Sequence, residues 1–373
     1  MNFEEHAAKP LLAAAGIAVP ESRVATDEAE AEAHAAAIGA CVIKAQVPTG
    51  KRGKAGGIAL AGSPGEARAE ARRILGLKIG DHSVEKVLVE AQVPIAREMY
   101  AAILNDAESK GPLLLFSPEG GMDIEEIAEA HPDKLLRLPI DIRHGLARRT
   151  LLEALPAADG VDADGVADLL MALYQAYRGN DAELLEINPL VLTEDNRLVA
   201  LDCKFTLDDS GIKRQTEIAE AGTPDKLTAL ETRGKAAGLK YIELEGEVGV
   251  LANGAGLTMT TMDAVRHYGG RPANFLEIGG EAYTLGKEAL ALVLDNPNVK
   301  SLLINFCGAF ARCDVMTEGI LAAWKEVKPD LPVFFTIHGT GEDEAVAMVR
   351  AELGIEPFDL MDDAVKAAVE AAR

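Results

Sequence analysis

The chain of 373 residues has little that would place it in a membrane or in an oxidising compartment. Its longest apolar runs, such as Leu113 to Phe116, fall far short of the roughly 20 residues that a spanning helix needs. The acidic opening MNFEEH does not read as a signal peptide, so a cytoplasmic protein without a membrane partner is expected. Four cysteines, Cys41, Cys203, Cys307 and Cys313, show no Cys-x-x-Cys spacing, which points to free thiols and against a zinc site. Basic residues are outnumbered, 37 against 60 acidic ones. The resulting formal charge of -23 opposes general binding to nucleic acid or anionic lipid, so an anionic ligand needs a local basic pocket.

Apolar residues make up 48% of the chain, enough for sizeable cores in about two or three domains of ordinary size. Asn2 stands where it could cap a first helix with Glu5 three residues on, and Gly16 where that helix should end. Short strands at Cys41 to Ala45, Val87 to Glu90, Met99 to Asn105 and Leu113 to Ser117 then mix irregularly with helices such as Pro64 to Leu75, which suggests α+β. Past Leu239 the texture becomes a regular α/β alternation. Strands at Val248 to Ala252, Ala273 to Glu277, Ser301 to Asn305 and Val333 to Ile337 are separated by helical segments, as in a parallel sheet covered on both faces. The division is placed at 235, giving domains 1–235 and 236–373.

The stretch VIKAQVPTGKRGKAGG, Val42 to Gly57, resembles a phosphate loop but lacks the Gly-Lys-Ser/Thr hydroxyl that a mononucleotide P-loop offers to magnesium. It reads either as a mobile basic surface loop or as a lid in which Lys44 reaches a phosphate and Lys51, Arg52, Gly53 and Lys54 fold over the rest. Glu90, closing KVLVE, has the position of a nucleotide hydrogen-bond acceptor, and Glu98 in AREMY could support it.

In LLEINPLVLTEDNRLVALDCKF, two apolar runs flank Glu194-Asp195-Asn196, a three-residue hairpin loop whose last position suits a left-handed Asn. Pairing Thr193 with Arg197 makes partner numbers sum to 390, so Asn188 falls opposite Asp202 and Glu186 opposite Lys204, all on one face. An amide oxygen beside a carboxylate is a half-shell for Mg²⁺, with waters and phosphates completing it. The plain alternative is a solvated face with one Glu/Lys pair, and Pro189, which cannot donate to a ladder, could slip the register by one.

Together these blocks, with VLVEAQVPIAREMY, SPEGGMDIEEIA and ANGAGLTMTTMDAV…GGRPANFLEIGG, resemble in order and spacing the β subunit of succinyl-CoA ligases, from Asn2 nearly to the C-terminus. The resemblance implies an ATP-grasp domain followed by a flavodoxin-like CoA-ligase domain. It also implies a separate α subunit that carries the relay histidine and the CoA site, in an αβ or α2β2 heteromer. Under it, Lys44, Lys51, Arg52, Gly53, Glu90, Val93 and Glu98 match nucleotide contacts, and Asn188 and Asp202 match magnesium ligands. Glu186 matches a glutamate that orients the phosphorylated histidine, and Asn253 a contact to the acyl substrate. Pro20 favours ATP over GTP.

Departures from the family pattern cluster in the second domain. NFCGAFARCD replaces Asn-x-Phe-Gly-Gly-Ile-x-Arg-Cys-Asp, so Ala309, Phe310 and Ala311 occupy the acyl-binding turn. Glu281 stands for a glycine and His338 for a glutamate, while the loop has Lys51 for glycine and Pro48 for histidine. In an open parallel sheet ligands bind beyond the carboxyl ends of the strands, where the second-domain changes lie. The expected reaction is Mg-ATP-dependent activation of a short carboxylic acid, succinate or a changed substrate such as malate, through an acyl phosphate to an acyl-CoA. A regulatory nucleotide-binding subunit without turnover, or another ATP-grasp ligase, are the competing readings.

Overall fold

The computed structural model describes residues 1–50, 52–120, 124, 129, 132–158, 160–224, 226–278 and 285–373. Lys51 and Glu281, together with much of SPEGGMDIEEIA, lie outside the described residues. The chain packs as two compact units, Met1–Asp225 and Lys226–Arg373.

The first unit holds two main sheets. One contains β1 (Ser22–Ala25), β2 (Cys41–Gln46), β3 (Ile58–Ala61) and β6 (Lys86–Ala91) in the order β1-β6-β2-β3, all antiparallel. Helices α2 (Glu28–Ile38) and α3 (Pro64–Leu75) bury Ala31, Ala35, Ala67, Ala71 and Ile74 against Cys41, Ile43, Ala45, Val87 and Val89. Side chains alternate along a strand, so Lys44, Leu88 and Glu90 point to the other face. A two-residue pair, β4 (Lys78–Ile79) with β5 (His82–Ser83), sits between α3 and β6 in the chain.

The larger sheet is ordered β11-β10-β7-β8-β9, with β12 also on β10. Its strands are β7 (Ile95–Asp106), β8 (Gly111–Ser117), β9 (Leu136–Pro139), β10 (Ala182–Thr193), β11 (Leu198–Ala200) and β12 (Lys204–Leu207). Helix α1 (Glu5–Ala14) contributes Ala8 and Leu12 to the core on this sheet, and the segment Ala163–Gly179 contributes Leu170, Leu173 and Tyr174. The expected cap is corrected: Glu4, not Asn2, holds the N-cap position, without a side-chain cap bond. Asn2 is drawn away because it bridges to Thr206 and accepts from the Thr206 hydroxyl at 3.0 Å.

Across the hairpin, Leu190 pairs with Ala200 and Glu186 with Lys204, so the sum of 390 holds on both sides of Pro189. Asn196 takes the left-handed conformation at φ 61°. Pro189 instead leaves its mark on the β7 side, where the register shifts between Ile187 and Leu190. A residue with no N–H to donate is tolerated at such a bulge.

The second unit has a parallel sheet, β14 (Val248–Ala252), β16 (Ser301–Gly308) and β17 (Val333–Gly339), as the α/β pattern requires. The expected parallel strand Ala273 to Glu277 is corrected: β15 (Asn274–Leu276) pairs antiparallel with β13 (Tyr241–Glu243), and only the flanking Pro272 and Glu277 make single parallel bridges, to Val248 and Ala252 of β14. Helices Gly286–Leu294, Cys313–Val327 and Glu342–Leu353 pack on one face, and Ala255–His267 and Met361–Ala371 on the other. No helix among the described residues is long and apolar enough to cross a membrane.

Candidate functional site

In the first unit a cleft of about 420 Å³ is lined by residues of α1, the 47–54 loop and the β10–β12 hairpin, among them Glu5, Arg52, Gly53, Glu186, Asn188 and Asp202. The basic loop and the hairpin carboxylate and amide thus meet in one place. Behind it lies a buried cluster of three carboxylates and three cations.

Lys44, on β2, spends all three ammonium hydrogens: on Glu5 Oε1 at 3.0 Å, on Glu90 Oε1 at 2.7 Å and on the Leu201 carbonyl at 2.5 Å. Lys9, one turn after Glu5 on α1, meets Glu5 Oε1 at 2.7 Å, the Leu201 carbonyl at 2.8 Å and Glu90 Oε2. Arg52 donates from Nη1 to the Ala45 carbonyl at 3.0 Å, with Glu5 Oε2 2.8 Å away, and from Nη2 to both oxygens of Asp202 at 2.7 and 2.6 Å. Burial alone would raise the Glu5 carboxyl, yet Lys44, Lys9 and Arg52 hold it far below the usual carboxylate range. The same burial disfavours charge on Lys44, and Glu5, Glu90 and Asp202 overcome it, raising the ammonium above its ordinary value. Both groups stay charged at neutral pH because each is compensated.

The expected nucleotide residues divide accordingly. Lys44, Arg52 and Glu90 are buried in the cluster, while Gly53 is exposed on the loop at the mouth of the cleft. Val93 follows β6, and Glu98 sits on β7 opposite Val191; neither is among the residues lining this cleft. Asn188 and Asp202 line it together, and Glu186 accepts from the Tyr100 hydroxyl at 3.3 Å. Among the described residues no group of three or more His, Cys, Asp or Glu side chains is arranged to hold a metal. Asn188 and Asp202 nevertheless offer hard oxygen donors of the kind magnesium takes when phosphates complete its shell, and a guanidinium cation already stands against Asp202. Glu5 and Lys9 are the members that sequence reasoning missed. Their signal was a charged pair at i and i+4 in the same helical stripe as buried Ala8 and Leu12.

In the second unit, Asn253 follows β14 and turns its amide onto β16: it accepts from the Cys307 N–H at 2.7 Å and donates to the Cys307 carbonyl at 2.9 Å. Beyond the same strand end, Ala309 and Phe310 are exposed, Phe310 completely, and Ala311 is half-buried. A backbone bond from Ala309 N to Ala311 O at 3.2 Å closes this turn. The helix after it has Arg312 at its N-cap and begins at Cys313, whose amide donates to the Thr340 carbonyl at 2.8 Å, so this first amide is not open to a phosphate. His338 closes β17 with its Nδ1 3.5 Å from Glu342 Oε1.

Residues 2–192 match the ATP-grasp domain family and residues 251–369 the CoA-ligase family. Succinate–CoA ligase [ADP-forming] subunit β of Rubrobacter xylanophilus is 43% identical, with 100% of this chain and 99% of that one covered. Subunits of the same name from Chloroflexus aurantiacus and Methylobacillus flagellatus are each 42% identical and cover 100% of this chain, with 99% and 100% of their own lengths. Among solved structures, an ATP citrate lyase from Methanothrix soehngenii in complex with citrate and coenzyme A superposes with a TM-score of 0.76 at 23% identity, covering 99% of each chain, a likeness of fold.

Proposed function

Because this chain belongs to the family of succinate–CoA ligase β subunits, with an ATP-grasp domain followed by a CoA-ligase domain, we propose that it binds Mg-ATP and phosphorylates a histidine of an α subunit. The phosphoryl group then passes to a short carboxylic acid, and CoA, held mainly by the α subunit, displaces it to leave an acyl-CoA. The nucleotide work falls to residues 1–235 and the acyl work to residues 236–373, in an αβ or α2β2 assembly in the cytoplasm.

The observation that carries this reading is the convergence of Arg52, Asn188 and Asp202 on one cleft, with Lys44 buried against its lining residue Glu5, in a chain whose overall charge is -23. In a chain this acidic an anion needs local cations to meet it, and Arg52 supplies one at this cleft. Lys44, Lys51, Arg52 and Gly53 would face the phosphates, with Glu90, Val93 and Glu98 about the rest of the nucleotide. Asn188 and Asp202 would hold Mg²⁺, which supplies charge neutralisation at the phosphate oxygens. Glu186, kept in place by Tyr100, would orient the partner's imidazole. Asn253 and the turn Ala309–Phe310–Ala311 would meet the acid. The names of the relatives make succinate the first acid to test, and the exposed Phe310 motivates testing others, such as malate.

The decisive experiment is co-expression with the α-like gene product, followed by ADP release measured with CoA across a panel of short carboxylic acids. Phosphorylation of the α histidine by γ-labelled ATP should require Mg²⁺, and Asp202→Ala should lower it by on the order of 10² or more. Undiminished labelling in that variant would remove Asp202 from the mechanism.

A further inference from the structure

Arg52 ties the buried side chains of the cluster to its partly exposed member, Asp202. Its guanidinium has two unlike ends. Nη1 is fixed inside, on the Ala45 carbonyl and against Glu5, which is itself 1% exposed. Nη2 is turned outward and grips both oxygens of Asp202, whose side chain is 30% exposed. The loop that carries Arg52 is closed at its base, where Ala45 N donates to the Gly57 carbonyl at 2.7 Å and Gly57 N to the Arg52 carbonyl at 2.9 Å. A Cβ on Gly57 would lie 2.8 Å from the tip of Ile79 and 3.1 Å from both Ala45 Cβ and the Arg52 carbonyl, so a larger residue would crowd this base.

We infer that Arg52 is the resident cation of the divalent site: its outer nitrogen holds Asp202 until nucleotide phosphate takes the guanidinium, and only then is Asp202 released to the metal. This deepens the proposed function and rests on it. Among the described residues of the cluster, three carboxylates, Glu5, Glu90 and Asp202, balance three cations, Lys9, Lys44 and Arg52. A bare divalent cation arriving at Asp202 would face a guanidinium within hydrogen-bonding distance of the same oxygens, and like charges at that range repel strongly. A metal–nucleotide complex is a net anion. It offers the outer nitrogen of the arginine a phosphate oxygen in exchange for the carboxylate, a charge-assisted bond that guanidinium is suited to make. Glu5 is the positioning residue, because its hold on Nη1 lets the outer end change partners while the inner end stays. Metal and nucleotide therefore enter together, and metal alone is refused.

Binding of Mn²⁺, read directly by electron paramagnetic resonance on the αβ pair, tests this without turnover. Wild type should bind Mn²⁺ weakly by itself, and a non-hydrolysable ATP analogue should tighten Mn²⁺ by roughly tenfold or more, the scale of one charge-assisted pair. Arg52→Gln should bind Mn²⁺ without nucleotide roughly tenfold more tightly than wild type, and adding Asp202→Asn should erase that gain. Arg52→Lys, which keeps the charge and loses the fork, should fall between. Mn²⁺ that binds wild type equally well with and without the analogue overturns the inference, as does a gain in Arg52→Gln that survives Asp202→Asn. The wild-type comparison stands even if a variant fails to fold. If the analogue itself does not bind wild type in the presence of Mn²⁺, the proposed function fails instead.

Discussion

The side-chain amide of Asn253 pairs edge-on with the backbone of Cys307, accepting from its N–H and donating to its carbonyl. One hydrogen and one lone pair of that amide remain for a ligand. Asn253→Asp keeps the acceptor but turns an oxygen onto the Cys307 carbonyl. It should destabilise the second unit by about 1 to 3 kcal/mol, more than Asn253→Ala does, because two acceptors then face each other. Urea denaturation of the full chain checks the order, and equal midpoints would mean that the amide does not pin the strand end.

Glu5 serves three cations with one buried carboxylate. Removing a partner from a buried ion pair typically costs about 3 to 5 kcal/mol, since the remaining charges are stranded. Glu5→Ala should lose stability on that scale, and the double variant Glu5→Ala with Lys9→Met should recover part of it. Thermal and denaturant melts of the single and double variants decide this. Additive losses would show that the two residues are uncoupled.

The pH dependence of stability follows in sign. Glu5 has a folded pKa below its unfolded value, so its contribution is complete above roughly pH 5 and disappears as pH falls through the carboxylate range and below it. Lys44 has a folded pKa above its unfolded value, so its contribution is complete below about pH 10 and is lost as pH rises further. Denaturation midpoints should therefore be flat across neutral pH and drop at both ends. Glu5→Gln should flatten the acid limb, and an unchanged acid limb would assign the drop to other carboxylates.

Phe310 makes no buried contact that its removal would break, being wholly exposed at the carboxyl end of the parallel sheet. Phe310→Ile should leave stability within about 0.5 kcal/mol of wild type. If the turn meets the acid, the ratio of kcat/KM values between succinate and bulkier or hydroxylated acids should shift in this variant. An unchanged ratio across the panel would take Phe310 out of specificity.

Much of this was legible in the chain before any coordinates. The hairpin register followed from two apolar runs of opposite sense and a turn ending in Asn196, all of them local. The parallel strands of the second unit show in the regular alternation of short strands with helices, as in Val248–Ala252 and Ser301–Gly308. The grip of Arg52 on Asp202 spans 150 positions, and no short-range pattern encodes it. By sequence Glu5 reads as a capping acid, because its spacing from Asn2 fits that motif. Its true neighbours, Lys44 and Arg52, come from a different sheet and its following loop.

The turn at Glu194 to Asn196 is exposed and distant in sequence from the lysines, yet it acts as a length gauge for the cleft. Because facing residues alternate from one side of a strand to the other, a single inserted residue there would slide every partnership by one step and swing Asp202 away from the side that Glu186 and Asn188 occupy. Substitutions at Glu194 should be harmless, whereas a change in the count of the turn should silence a site that none of its own side chains touch.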